Sequence, residues 1–99
     1  MSAATVFERA QDGDERSLDA AFAAVDIASR FYSTSVAEAV AERWLWGASW
    51  KRVAHMLGCS RQNAFDRCIA CFEWMDRHIA FTDEDGEIHA EYVKGYGEI

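Results

Sequence analysis

The chain has 99 residues, of which 51% are apolar and 13% aromatic, as expected for one compact domain with a modest core. Its formal net charge is −7. No apolar run approaches the roughly eighteen residues of a membrane-spanning helix, which argues against a transmembrane protein. The 3 cysteines are an odd number and lie in apolar helical pattern, and the N-terminus does not read as a signal peptide. We therefore expect reduced thiols, a cytoplasmic location and no membrane partner.

Charge is distributed unevenly along the chain. Residues 1–42 carry −5, residues 43–78 carry +3 and residues 79–99 carry −5. Neutralisation of phosphates by Lys and Arg supplies most of the non-specific affinity of proteins for nucleic acid, so the whole-chain charge argues against such a partner. The middle segment, by contrast, has the sign of charge that such a partner requires.

The N-terminal half of the chain predicts a lead-in and two helices. Residues 1–16 contain few large apolar side chains and include the run DGDE, which is typical of a flexible acidic lead-in. From Ser17, apolar residues recur every three or four positions, which predicts an amphipathic helix. The positions of this stripe are Leu18, Ala21, Phe22, Val25, Ala28, Phe31 and Tyr32. Ser35 and Glu38 have the spacing of a capping box and predict the start of a second helix.

Two further helices are predicted in the basic segment. Ser49 is placed to cap a short third helix, Trp50 to Leu57, through its hydroxyl. Gly58 ends that helix, since glycine readily takes a positive φ, and Ser60 then caps a fourth and longest helix. The inward stripe of the fourth helix is predicted to contain Phe65, Cys68, Phe72, Met75 and Ile79. Residues 17–79 are accordingly predicted to form a domain of four helices.

The last segment, residues 80–99, is acidic and changes its period. Asp85-Gly86 is a turn signal, and the apolar residues after it alternate with polar ones, as in a half-buried strand. The sequence predicts either a β-hairpin from about Ile79 to Val93 or a frayed helix end followed by an acidic tail.

Residues 49–67 have the outline of a helix-turn-helix. In the run SWKRVAHMLGCSRQNAFDR, Ala54 is small enough to let a second helix cross closely, and Gly58 provides the turn. This run resembles the helix-turn-helix of sigma-factor region 4 and of small phage and bacterial regulators, whose pattern is roughly SW..VA..LG.SR..A..R. The resemblance covers about twenty of the 99 residues. It implies a mainly α fold in which a three-helix core lays its last helix in the major groove of DNA.

The start of the fourth helix carries the candidate base-reading residues. Arg61 suits guanine, whereas Gln62 and Asn63 can present paired donors and acceptors to adenine. Asp66 departs from the family's pattern; as an acceptor it is suited either to cytosine or to orienting Gln62 one turn back. The residues expected to contact phosphates are Ser49, Lys51, Arg52, Ser60 and Arg67.

Cysteine and histidine side chains raise the question of a metal or catalytic site. Cys59 and Cys68 are separated by about 12 Å along the helix axis, whereas thiolates that share a zinc ion lie within about 4 Å of each other. No oxyanion hole or orienting third group accompanies a Cys-His pair at recognisable spacing. We therefore expect no metal, no cofactor and no enzymatic activity.

The four tryptophans are predicted to fall into two groups. Trp44 and Trp50 lie on apolar helix faces and are predicted to belong to the core. Trp46 and Trp74 are predicted to be less buried. An exposed tryptophan on such a small domain is typical of a surface that contacts another protein, such as a second copy of the chain.

These patterns lead to two hypotheses of function. The first is a sequence-specific double-stranded DNA-binding protein, a transcriptional regulator of bacterial or phage origin that acts as a homodimer. The alternative is a protein-interaction module or adaptor that keeps a helix-turn-helix-like fold and binds RNA polymerase or phage packaging machinery. An open patch formed by Lys51, Arg52, Arg61 and Arg67 would favour DNA, and acidic segments folded over that patch would favour the alternative.

Overall fold

The computed structural model describes residues 1–93, which form five helices followed by a two-stranded antiparallel hairpin. The elements are α1 Ala3–Gln11, α2 Glu15–Phe31, α3 Thr34–Trp44, α4 Trp50–Leu57, α5 Arg61–His78, β1 Ile79–Glu84 and β2 Glu87–Tyr92. The predicted mainly α class is confirmed, and so is the C-terminal hairpin. Residues 94–99, part of the acidic segment expected at the C-terminus, lie outside the described residues. No helix within the described range is long and apolar enough to cross a membrane.

The segment expected to be a flexible lead-in is instead helix α1, packed into the core. Val6 and Phe7 are fully buried, and smaller alanines lie one turn to either side of them. The Ser2 hydroxyl accepts a hydrogen bond from the backbone N–H of Thr5 and caps the helix. The N–H of Ala3 donates to the Asp76 carboxylate, 2.7 Å away, which fixes α1 to α5. The prediction was wrong because a short apolar stripe suffices for a helix when neighbouring helices, here α2, α3 and α5, pack against it.

Helix α2 is buried through alanines and not through its large side chains. Ala21, Ala24 and Ala28 are fully buried, whereas Phe22 is 41% exposed and Phe31 is 53% exposed. Small side chains let α2 approach its neighbours closely, and the bulky rings of the predicted stripe are left at the margins of that contact. The helical periodicity was therefore predicted correctly, but the predicted buried side chains were partly wrong.

The start of α3 corrects the predicted capping box. Ser33, with an extended φ of −157°, is the N-cap, and its hydroxyl accepts from the N–H of Val36 at 3.2 Å. Ser35 already belongs to the first turn of the helix. Ser33-Thr34-Ser35 offers three hydroxyl residues in a row, so the sequence alone does not decide which of the three caps the helix.

Helix α5 is the longest element and carries one side of the core. Its Phe72 ring packs against Phe7 and Trp44, with ring centroids 5.1 and 4.7 Å apart. Trp74 is only 8% exposed, so the expectation of a less buried tryptophan there is wrong, although it holds for Trp46. Phe65, predicted to face inward, is 43% exposed.

The hairpin lies on α2. Asp85 and Gly86 both have positive φ, 54° and 77°, which is the conformation of a two-residue type I′ turn. The turn is held by Arg16 at the start of α2, whose guanidinium donates to the Gly86 carbonyl at 3.3 Å. At the other end of the hairpin, Tyr92 stacks on Phe31, with ring centroids 4.2 Å apart. The acidic strands are thereby positioned along α2.

Candidate nucleic-acid interface

The turn between α4 and α5 has the conformation predicted for residues 58–60. Gly58 adopts the left-handed conformation, with φ 64° and ψ 37°, and ends α4. The N–H of Cys59 bonds to the Ala54 carbonyl at 3.1 Å, which satisfies the end of that helix. Ser60 is extended, and its hydroxyl accepts from the N–H of Asn63 at 3.1 Å. One helix therefore ends and the next is capped within three residues.

Small and apolar side chains hold α4 against α5. Val53 and Ala64 are fully buried, and Ala54 is 7% exposed. Trp50, at the start of α4, packs edge-on against Phe65 of α5, with ring centroids 5.4 Å apart. The two helices are thus joined at the turn and again at the aromatic pair, which fixes their relative orientation.

Helix α3 supports this pair as the third helix of the core. Trp44 packs edge-on against Trp50, with ring centroids 5.6 Å apart. The Arg43 guanidinium lies 5.1 Å from the centroid of the Trp50 ring and also donates to the Ala48 carbonyl at 3.0 Å. Trp44 and Trp50 are both half-buried, in keeping with the predicted place of each on an apolar face.

A groove of about 580 Å³ lies along α4 and the start of α5. Among its lining residues are five of those predicted to contact DNA, and we call this the basic groove. Its lining residues are Ser49, Lys51, Arg52, Ala54, His55, Cys59, Ser60 and Arg61. None of the acidic hairpin residues, as far as the structure describes them, lines it. His55 and Cys59 were not predicted as contact residues. Their positions, at the end of α4 and in the turn, could have indicated that they line the groove.

The predicted DNA-contacting cations of α4 and α5 are accessible to a partner. Lys51, Arg61 and Arg67 are exposed, and within residues 1–93 they form no ion pair. Arg52 lies 4.0 Å from Glu42 of α3, in an exposed pair of the kind that contributes little to stability. A polyanion would therefore have few internal ion pairs to displace.

Both capping hydroxyls retain a donor. Ser49 accepts from the N–H of Arg52 at 3.2 Å, and Ser60 accepts from that of Asn63. Since a hydroxyl carries one hydrogen as well as its lone pairs, each can still donate to a phosphate oxygen. The geometry is therefore compatible with the predicted contacts between these two serines and phosphates.

The remaining predicted residues lie around the exposed surface of α5. At about 100° per residue, Gln62 and Asp66 lie opposite the buried stripe, and Phe65 lies on the side nearest α4. Arg67 is about 200° around the helix from Phe65, so it lies on the far side and does not line the basic groove. The single patch expected of Lys51, Arg52, Arg61 and Arg67 is therefore divided, with three of its cations in the groove and Arg67 apart from them. Asn63 is exposed on that same side.

A second concavity lies beside the basic groove. It has a volume of about 340 Å³ and is formed by Trp50, Arg61, Gln62 and Phe65; we call it the aromatic notch. Phe65 was missed as a surface residue because aromatic side chains are usually assigned to the core. The available signal was its helical position, one residue away from the tightly spaced stripe of Ala64, Cys68, Cys71 and Met75.

All three cysteines lie within the described part of the chain, and two of them, Cys68 and Cys71, are buried. No group of three or more His, Cys, Asp or Glu side chains there is placed to hold a metal ion. Burial raises the pKa of Cys68 to about 11 and that of Cys71 to about 12, so both thiols stay protonated at neutral pH. They act as small apolar core residues.

A scan against protein-family models and searches of curated proteins and of solved structures find no match to this chain.

Proposed function

We propose that this chain binds double-stranded DNA in a sequence-specific manner, with the N-terminal turns of α5 in the major groove. The observation that carries the proposal is the α4–turn–α5 geometry: Gly58 in the left-handed conformation and the Ser60 cap present the exposed Arg61, Gln62 and Asn63 at the start of a long helix. Side chains at that end of a recognition helix reach furthest toward base edges. Arg61 is suited to guanine, and the two amides are suited to adenine.

Charge on both sides of α5 supports this orientation. Lys51 and Arg52 line the basic groove on the α4 side, and Arg67 lies on the far side of α5. A helix seated in the major groove has a phosphate backbone on each side, so these cations are placed to contact both strands. Asp66, the departure from the family's pattern, is bonded to Gln62 within the helix.

The number of phosphate contacts bears on the oligomeric state, and the sequence resemblance bears on the cellular role. One copy presents few cations around α5, whereas tight operator binding needs more phosphate contacts, so we propose that two copies bind as a homodimer. The role proposed is that of a cytoplasmic transcriptional regulator of bacterial or phage origin, without catalysis or cofactor. The resemblance of residues 49–67 to sigma-factor region 4 and to small regulators supports it.

A second candidate, a protein-interaction module, is favoured by exposed aromatic side chains away from α4 and α5. Trp46 is 65% exposed and lies against Phe22, which is 41% exposed, with ring centroids 5.8 Å apart. Such paired rings are typical of protein contact surfaces. Together with a net charge of −7, they fit an adaptor that binds RNA polymerase or phage packaging machinery.

Selection from a library of random duplexes at two salt concentrations tests the primary proposal. We expect an enriched motif, an affinity that falls steeply with salt, and a salt slope reduced by about one in Lys51→Ala. Arg61→Ala should weaken binding to the motif, whereas Arg30→Ala removes a cation from α2 that is also exposed and should not. Absence of duplex binding even at low salt would exclude the proposal and leave the interaction module.

The mass of the protein in solution, measured with and without the enriched duplex, tests the dimer. We expect two copies per palindromic site. A single copy on every site, at concentrations that saturate the duplex, would contradict the dimer but not the DNA-binding proposal.

A further inference from the structure

The aromatic notch is an apolar feature on an otherwise polar reading surface. Phe65 is 43% exposed, and its ring is held by the edge-on contact with Trp50. Trp50 is itself fixed between Trp44 and the Arg43 guanidinium. The apolar wall is therefore packed against side chains of α3, which lowers the entropic cost of ordering it on binding.

The position of the notch matches the step between successive bases. Phe65 follows Gln62 by three residues, which is an axial rise of about 4.5 Å, close to the spacing of roughly 3.4 Å between stacked bases. The two residues also lie on the same exposed side of α5. If Gln62 reads one base, Phe65 therefore faces its neighbour.

The chemistry of the notch selects one group in the major groove. Its walls are the rings of Trp50 and Phe65, and its rim is polar, formed by Arg61 and Gln62. Base edges in the major groove present donors and acceptors, with one apolar exception, the C5-methyl group of thymine. The positive rim and the adjoining Lys51 match the charge of the flanking phosphates.

We propose that the aromatic notch binds the C5-methyl group of a thymine that neighbours the base contacted by Gln62. This specificity contact rests on the proposed binding of duplex DNA. Burial of one methyl group corresponds to roughly a fourfold gain in affinity, or about 0.8 kcal/mol. Phe65 is thereby a specificity-determining residue in addition to the polar residues at the start of α5.

Replacement of single thymines by deoxyuridine tests the contact, because it removes the methyl group and leaves base pairing intact. In the enriched duplex, we expect one thymine position in each half-site at which this replacement weakens binding by roughly fourfold. In Phe65→Ala the same replacement should have no effect, and binding to the thymine duplex should fall to the level of the deoxyuridine duplex. Phe65→Leu keeps an apolar wall and should retain part of the discrimination.

Phe22→Ala is the matched control, since Phe22 is a similarly exposed phenylalanine on α2. This variant should discriminate between thymine and deoxyuridine as the natural chain does. Enrichment of a motif in which no thymine responds to the replacement would overturn the inference and leave DNA binding intact. Discrimination that persists in Phe65→Ala would also overturn it, and the absence of any duplex binding would overturn both proposals.

Discussion

The side-chain amide of Gln62 donates a hydrogen bond to Oδ1 of Asp66, 3.0 Å away and one turn further along α5. This contact uses one of the two amide hydrogens and leaves the other, together with the carbonyl oxygen, free to pair with a base. Of the two roles expected for Asp66, cytosine recognition or orientation of Gln62, the structure provides the contact needed for orientation. The carboxylate also places a negative charge on the face of α5 proposed to enter the major groove, which we expect to lower general affinity for DNA.

Substitutions of Asp66 separate its charge from its hydrogen bond. Asp66→Asn keeps an acceptor for Gln62 and removes the charge, so we expect tighter binding to all duplexes with the sequence preference unchanged. Asp66→Ala removes both, and we expect it to tighten general binding while relaxing the preference at the base that Gln62 contacts. Selection from the same duplex library for both variants measures the two effects. Identical preferences in Asn and Ala variants would contradict the orienting role.

The turn between α4 and α5 depends on the conformation of Gly58. A Cβ at this position meets no atom within 4 Å, so the cost of substitution comes from the backbone and not from a clash. We expect Gly58→Ala to lower the free energy of unfolding by about 1 kcal/mol, because an L-residue pays that cost at positive φ. Gly58→Asn should lose less, since asparagine tolerates this conformation. Urea denaturation measures both, and equal losses would contradict a backbone origin.

Features fixed by short-range backbone chemistry were predictable from the sequence. Ser49 and Ser60 were identified as N-caps, and Gly58 as the helix C-terminus, because each depends on its own hydrogen bonds or φ alone. The Asp85-Gly86 turn was predictable for the same reason. The basic groove follows from these caps, since they determine where Lys51 and Arg61 lie.

Burial was less predictable because it depends on which neighbour covers each face. The core uses the alanines of α2 and not Phe22 or Phe31, a choice that requires the approach of α1, α3 and the hairpin. Phe65 is more exposed than expected and Trp74 is more buried, for a similar reason. The element next to Phe65 is α4, whereas Trp74 is covered by the end of α2 and by the hairpin. The aromatic notch could therefore not be predicted from the hydrophobic periodicity of the sequence.

Helix α1 provides a test of the core that the sequence did not predict. Phe7 is fully buried against Phe72, so we expect Phe7→Ala to lower the free energy of unfolding by about 3–5 kcal/mol. Glu8→Ala, at an exposed position on the same helix, should change it by less than about 0.5 kcal/mol. Thermal or urea unfolding measures both. A Phe7→Ala protein as stable as the natural chain would show that α1 is not part of the folding unit.

The three cysteines should differ in reactivity according to burial. Cys59 lines the basic groove and is half-buried, whereas Cys68 and Cys71 are fully buried. Because the thiolate is the reactive form, thiols with pKa values of about 11 and 12 should resist iodoacetamide at pH 8. Mass spectrometry of the folded protein should find one alkylated site, Cys59, and three sites after denaturation. Early modification of Cys68 or Cys71 would contradict the described packing.

The same pKa shifts predict how stability depends on pH. Burial raises the pKa values of both Cys68 and Cys71 above their ordinary value of 9.0, so the unfolded thiols ionise at a lower pH than the folded ones. Their contribution to stability should therefore be intact below about pH 9 and should be lost as the pH rises through about 11 and 12. Urea unfolding at a series of pH values, compared with the Cys68→Ala/Cys71→Ala variant, isolates this contribution from tyrosine ionisation. A decline equally steep in the variant would show that other groups cause it.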